Sequence, residues 1–155
     1  MLKLTDSSLK SLKAQSIKKY LLEDEIAIPI INFDDYYITS SGRVFSSKIV
    51  ISYTTLEKIE YCHIAWKELR PFYCHQYKSI SLSQKGGKKN FYLHKLVYEA
   101  FYGKYDTNWW RIGFKDGNVE NCDKDNLKLV FRYSKSNKRK IREYEKQQRI
   151  LQILE

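Results

Sequence analysis

Histidine is scarce in this chain and stops early: there are three, and none follows His94. Any chemistry in the last third of the sequence that needs an imidazole has no local one to use. Cysteine is equally sparse. Three thiols, an odd number, make no disulfide framework, so a reducing, intracellular compartment is expected, either the cytoplasm of a phage host or an organelle matrix. No apolar run approaches the ~18 residues a membrane helix needs, and no membrane partner is expected. The N-terminus lacks the apolar core of a secretory signal; it is amphipathic and rich in Lys and Ser, and its lack of Arg argues against a mitochondrial transit segment. There is no long low-complexity region and no helix-turn-helix pattern.

What the chain does have is positive charge and tyrosine. Lys plus Arg number 28 against 18 Asp plus Glu, a formal net charge of +10. Such a balance speaks to partners rather than to fold, and a polyanion is the natural one, although a lysine-rich surface from an AT-rich genome gives the same total. The 13 Tyr, 7 Phe and 3 Trp can serve a core, a wet interface or a stacked base. At 155 residues, 43% of them hydrophobic, the chain suits one domain with helical extensions.

Periodicity predicts a helix over residues 6–22, capped by Asp6, Ser7 or Ser8 and carrying Leu9, Leu12, Ile17, Tyr20 and Leu21. Pro29 then marks an edge strand or arm. Short strands follow: around Tyr36–Ile38, after the Ser40-Ser41-Gly42 turn, through a β-rich stretch to Thr55, and over 60–66, which could pair with 71–77. Lys78 to Ser83 alternates like a half-buried strand, and the basic turn around Gly86-Gly87 leads to a return strand. A short helix carries Leu96, Val97, Ala100 and Phe101 and ends at Gly103. Strands at 109–114 and 127–131 flank the turn Lys115-Asp116-Gly117-Asn118. A final basic helix, capped by Ser134 or Ser136, runs to about Leu154, with Ile141, Tyr144, Ile150, Leu151 and Leu154 left for packing.

Three stretches in register carry a resemblance. Asp35-Tyr-Tyr-Ile-Thr-Ser-Ser-Gly-Arg43-Val-Phe-Ser, then Tyr77-Lys-Ser-Ile-Ser-Leu82 with Tyr92-Leu-His94-Lys-Leu-Val-Tyr-Glu-Ala-Phe101, then Arg111-Ile-Gly-Phe-Lys-Asp116-Gly-Asn118 running on to Asn126-Leu127. Together they resemble the phage-type HNH homing endonucleases: a small DNA-binding module followed by a ββα-metal core. The resemblance implies an α+β fold of short antiparallel strands leading into that core, with helices at both ends. It divides the chain into an N-terminal amphipathic helix (1–24), a β-rich nucleic-acid-binding module (25–83), an HNH-like core (84–137) and a basic C-terminal helix (138–155).

In that family a His acts as general base, an Asp or Asn beside it holds a divalent cation, and an Asn orients the His. Here the first two positions hold Phe114 and Gly113, neither able to do that work, while Asn126 keeps the third. A further ligand register falls near Lys135, with Asn137 two residues on. The resemblance therefore implies a scaffold that has lost its cutting chemistry, with no cofactor expected; Mg²⁺ enters only under the alternative of an active endonuclease with unexpected ligands. His94 is read as a joint residue hydrogen-bonded between hairpin and helix, a remodelled base being the alternative.

Nucleic-acid contacts are expected from Arg43 at the module's turn, from Lys85, Lys88 and Lys89 at the hairpin, and from Arg132, Lys135, Lys138, Arg139, Lys140 and Arg142, a stretch with no acidic residue between 132 and 142. Trp109 and Trp110 should split between inside and outside. The repeated Tyr-Cys-His invites a zinc site from Cys62, His63, Cys74 and His75, but adjacent strand residues face opposite ways and paired strands are the simpler account. The leading reading is a DNA- or RNA-binding protein, a phage factor or an accessory of a ribonucleoprotein such as a ribosome, with rRNA or neighbouring proteins reached through the terminal helices. A structural, protein-interaction subunit is the remaining alternative.

Overall fold

The computed structural model describes residues 5–53 and 60–154. Helix α1 (Asp6–Ser16) continues as a 3-10 turn over Ile17–Tyr20. Its cap is Thr5, not one of the three residues that follow: the Thr5 hydroxyl accepts from the Ser8 backbone N–H. That satisfies one of the first-turn N–H groups that no helical carbonyl can reach.

An antiparallel sheet follows in the order β1 (Ala27–Ile30), β2 (Phe33–Thr39), β3 (Val44–Tyr53), β4 (Glu60–Leu69). Pro29 lies on the edge strand β1, where a missing N–H can face away from the ladder. Strand alternation lets this sheet serve two cores. Ile38 and Val44 face one; their neighbours Tyr37 and Phe45 face the other, where they meet Ile17, Ile64 and Trp66. The second core fixes α1 in place. Trp66 Nε1 donates to Ser16 Oγ at 2.8 Å, and the buried Lys13 Nζ donates to Asp35 Oδ1 at 2.8 Å and to the Asp34 carbonyl at 3.0 Å.

A second sheet comprises β5 (Phe72–Cys74), β6 (Tyr77–Gln84) and β7 (Gly87–Tyr92). The expected pairing of 60–66 with 71–77 does not occur: β4 pairs with β3 from Val44↔Leu69 to Tyr53↔Glu60, and β5 pairs with β6. A hairpin between two 10-residue strands satisfies far more backbone than a 3-residue β5 can offer. Thr54 and Thr55, the expected end of the β-rich stretch, lie outside the described residues.

Helix α2 (Leu93–Tyr102) buries Leu93, Leu96 and Val97, with Ala100 and Phe101 half-buried one turn later, and ends at Gly103 (φ +92°). This is the one-sided stripe of a helix laid on a sheet. The main core collects Ile30, Ile38 and Val44 from the first sheet, Ile80 and Leu82 from the second, and Cys122 and Leu127 from downstream. Each such side chain contributes roughly 1.5–3 kcal/mol on burial. A boundary between residues 83 and 84 thus cuts the β6–β7 hairpin, and one core runs across it.

Strands β8 (Trp110–Phe114) and β9 (Leu127–Phe131) form a two-stranded ladder, and α3 (Lys138–Leu154) docks on its open end. Tyr144 packs among Trp109, Trp110 and Phe131, while Trp109 Nε1 donates to Gln147 Oε1 at 3.0 Å. Trp109, in the turn before β8, is buried and Trp110 half-buried, and both rings pack against Phe131 and Tyr144, so the expected split between inside and outside does not occur. Two strands and a helix complete the α+β architecture. Asn137, rather than Ser134 or Ser136, caps α3 by accepting from the Lys140 N–H at 3.3 Å; the two serine hydroxyls bond each other at 2.6 Å. Packing covers only the first half of α3. Ile141 and Tyr144 are half-buried, whereas Ile150, Leu151 and Leu154 are exposed. Among the described residues no helix is long and apolar enough to cross a membrane.

Candidate nucleic-acid interface

Gly113 and Phe114 end β8 opposite Lys128 and Leu127. The Phe114 ring lies nearly parallel to Tyr77, 6.3 Å between centroids, and edge-on to His94 at 5.4 Å. Tyr92 stacks on the other partner, His94, at 5.6 Å. His94 is only 6% exposed, and its Nδ1 has no hydrogen-bond partner. The expected hydrogen bond at the hairpin–helix joint is replaced there by ring packing. Burial, and secondarily the Lys95 charge, pushes the imidazole pKa down to about 4. The ring is neutral at physiological pH and works as an aromatic plate.

These rings form one wall of a cavity of about 340 Å³ bounded by α2, β8 and β9. Lys95, Arg111 and Arg132 stand around it, and no Asp or Glu lines it. The donor set does not fit the divalent cation that the family resemblance implies. Such ions want oxygen ligands, usually carboxylates, and three positive side chains surround this space instead. Gly113 offers no side-chain oxygen, and a Cβ built on it would stand 2.7 Å from Val130 Cγ2. Lys135 presents an ammonium, and the Asn137 amide oxygen is occupied capping α3.

The loop between the two strands is differently furnished. Asn126 Oδ1 accepts from the Asp116 N–H at 3.0 Å, and its Nδ2 donates to Asp116 Oδ1 and to the Asn121 carbonyl, both at 2.9 Å. Asp116 also accepts from the Asn118 N–H at 2.8 Å and from Asn121 Nδ2 at 2.8 Å. Hydrogen bonds from Asn121, Asn118 and Asn126 hold the Asp116 carboxyl below its usual range. Asn126 is therefore a loop-closing residue here, with every polar atom of its amide engaged.

The expected cations are distributed unevenly. Arg132 reaches the cavity, steered by an Nη1 hydrogen bond to the Thr107 carbonyl. Lys135, Lys138, Arg139 and Arg142 are exposed, and among the described residues none of them has a carboxylate within ion-pair distance. Lys140 is partly committed, to Glu143 at 2.8 Å and over the Trp109 ring at 5.8 Å. Lys88 and Lys89 are exposed on β7, while Lys85 shares a hollow with Asp34 and Asp35.

Arg43 is committed within the protein. Its Nε and Nη2 donate to the Glu68 carboxylate at 3.0 and 2.7 Å, and its Nη1 donates to Glu25 at 2.9 Å. Burial pushes the Glu25 carboxyl up, but hydrogen bonds from Ser41, Thr39 and the Leu22 backbone, with the Arg43 charge, outweigh it and hold it low. The adjoining turn is covered as well. Gly42 (φ +86°) lies so close to the downstream loop that a Cβ would meet Cys122 Cβ at 3.0 Å, and the Ser40 carbonyl accepts from the Lys124 N–H at 2.8 Å.

Lys95 and Arg111 were absent from the sequence-based set. Alternation along β8 and the stripe of α2 place both outward, a signal overshadowed by the family motif in which they sit. The zinc alternative does not assemble. Cys62 and His63 lie on β4 of the first sheet, Cys74 ends β5 of the second and His75 follows in a turn, so the two pairs never share a ladder. Among the described residues no group of three or more His, Cys, Asp or Glu gathers as a metal site. Burial pushes the third thiol, Cys122, up to about 11, leaving it protonated and inert.

Residues 91–134, which span the end of β7, α2, β8, the Asp116 loop and β9, match the family model described as HNH endonuclease. No curated protein matches the chain. The solved structure described as "DNA binding and cleavage by the HNH homing endonuclease I-HmuI" superimposes with a TM-score of 0.50 at 23% identity, over 80% of this chain and 59% of the length of that one. At that identity the likeness speaks to fold. Strand, loop, strand and helix follow each other here as the resemblance requires, and the segment 91–134 is similar to the HNH endonuclease family, in a fold like that of the homing endonuclease.

Proposed function

We propose that this chain is a nucleic-acid-binding protein that holds its partner through phosphate contacts and does not cut it. One observation carries the reading: where an HNH module needs a base and a metal ligand, the chain has Phe114 and Gly113, ringed by Lys95, Arg111 and Arg132 with no carboxylate in the lining. Hydrolysis of a phosphodiester needs an activated water and charge neutralisation by a cation. Binding needs only the positive surface, and Lys138, Arg139 and Arg142 on the exposed face of α3 extend it.

Duplex DNA is the favoured partner, because the fold neighbour is described as binding and cleaving DNA. An rRNA partner is a separate outcome of the same test. The module's family description favours a second reading, an active metal-dependent endonuclease. Binding to duplex DNA and to structured RNA should be measured by fluorescence anisotropy over a range of salt. DNA affinity should fall steeply with salt, and a Lys138→Gln, Arg139→Gln, Arg142→Gln variant should flatten the slope by roughly one per lost phosphate contact. Plasmid incubated with the protein and Mg²⁺ or Mn²⁺ should stay supercoiled. Nicking that a chelator abolishes would establish the second reading instead.

A further inference from the structure

We infer that the cavity beside Phe114 receives one unpaired nucleotide of the bound strand, its base against the aromatic wall and its phosphate among the cations. The inference rests on the nucleic-acid reading above and names what the site selects within it. A phosphate seat alone would need positive charge and polar donors. This cavity has the charge, from Lys95, Arg111 and Arg132, but its opposite wall is aromatic: Tyr77, Tyr92, His94 and Phe114. Flat rings beside cations are the combination that recognises a nucleotide outside the stack, because every base offers a π-face and every nucleotide a negative charge.

Size agrees. About 340 Å³ is at the small end of the ~300–1,000 Å³ typical of ligand sites, the scale of one small ligand such as a nucleotide. Charge agrees too, since no carboxylate in the lining opposes an anion. The wall is also incompletely satisfied. Of the buried side-chain polar atoms among the described residues, His94 Nδ1 and Ser79 Oγ are the two without a partner, and His94 is in the lining. A neutral imidazole is a better stacking surface here than a charged one, which would repel the flanking cations. Phe114 adds to the same wall, where it lies 5.4 Å from His94 and 6.3 Å from Tyr77. The residue that cannot act as a base thus supplies stacking area.

The test compares three duplexes of one sequence: fully paired, with one bulged 2-aminopurine, and with an abasic bulge at the same place. The abasic strand controls for the ease of bending a bulge. The protein should bind the 2-aminopurine bulge about tenfold more tightly than either control, with a change in probe emission on binding. Phe114→Leu should remove much of that preference, whereas Arg111→Gln, at an exposed position, should weaken both bulged duplexes relative to the paired one, because the abasic strand keeps its phosphate. Lys138→Gln with Arg139→Gln should weaken all three duplexes alike and leave the preference. If Phe114→Leu melts at the assay temperature, the parent's preference for the 2-aminopurine bulge over the abasic one, with its emission change, still decides.

Binding all three duplexes equally, with no change in emission, overturns the inference and leaves the nucleic-acid reading standing. Binding none of them at low salt overturns both. Adenosine monophosphate should not displace the bulged strand at matched concentration; displacement would make this a free-nucleotide site and refute the strand assignment.

Discussion

The corner at Gly113–Phe114 and the loop from Lys115 to Asn126 are adjacent in sequence and opposite in what they keep. In the loop Asp116, Asn118, Asn121 and Asn126 are all present and joined by side-chain hydrogen bonds. In the corner the two positions that would hold a metal and a proton carry no side-chain oxygen or nitrogen, and rings fill the space around them. The difference teaches that the loop's polar residues answer to the fold. They close a turn between two strands, and that demand persists whether or not a reaction occurs next door. On the proposed reading a corner residue answers to the chemistry and not to the ladder, and Phe114 sits in an intact ladder, paired to Leu127.

If the loop still positions the corner, chemistry should be restorable there, and this is the largest effect expected. Gly113→Asp with Phe114→His returns the ligand and base, and Val130→Ala clears the 2.7 Å overlap that a Cβ at 113 would make. With Mn²⁺ the triple variant should nick plasmid at least ~100-fold faster than the parent, the lower end of what a general base contributes. A folded triple variant as inert as the parent would break the comparison, since the retained loop would then not hold the corner in register.

The two regions should also separate by pH. His94 has a folded-state pKa of about 4 against an ordinary 6.5. Above pH 6.5 both folded and unfolded chains carry it neutral and nothing changes. As pH falls from 6.5 to 4 the unfolded chain takes up a proton that the folded chain refuses, so stability drops, and below 4 this loss levels off. At ~1.4 kcal/mol per unit the total reaches at most ~3.5 kcal/mol. The loop acts lower: the Asp116 carboxyl, held down by its hydrogen bonds, stabilises the fold above its ordinary range and ceases to as pH falls through its lowered value. Urea midpoints followed between about pH 7.5 and 4 should decline, and His94→Gln should remove most of that decline. An unchanged decline in the variant would place the titrating group elsewhere.

Asn126→Ala and Phe114→Leu sharpen the contrast at neutral pH. The first deletes three hydrogen bonds from a partly exposed loop, which should cost about 2 kcal/mol. The second exchanges a half-buried ring for a smaller apolar side chain and should cost about 1 kcal/mol. Denaturant unfolding gives both; the reverse order would mean that the corner, and not the loop, carries the local stability.

Much of this was legible in residue order. The edge placement of Pro29, the alternation of Lys78–Ser83, the stripe of α2 and the strand–turn–strand around Asp116 each follow from local periodicity or turn chemistry. The motif spacing pointed to the HNH module that the comparison finds over 91–134. What escaped depended on tertiary pairing. Strand β4 had two candidate partners in sequence, and only the long register with β3 decides between them. Arg43 read as free because Glu25 and Glu68, its partners, lie 18 and 25 residues away. The apolar residues at the end of α3 looked like a packing face, yet docking through Tyr144 and Gln147 covers only the helix's first half. The cavity was invisible because its aromatic wall and its cations come from β6, β7, α2, β8 and the bend after β9.

The smallest effect concerns position 113 alone, where two contributions oppose each other. Gly→Ala at an ordinary strand conformation restricts the unfolded chain and should stabilise by ~0.4–1 kcal/mol. Here the new methyl would meet Val130 Cγ2 at 2.7 Å, and overpacking costs ~1–3 kcal/mol. The clash should win in the parent, giving a net loss of about 1 kcal/mol. With Val130→Ala already in place the obstacle is gone, and the same substitution should change sign and stabilise slightly. A double-mutant cycle in urea reads this directly, because the coupling between contacting residues survives when the individual effects are small. Additive behaviour would show that Val130 yields freely. The space for a ligand at 113 would then be recoverable without touching its neighbour, and the corner would be nearer to working order than its packing indicates.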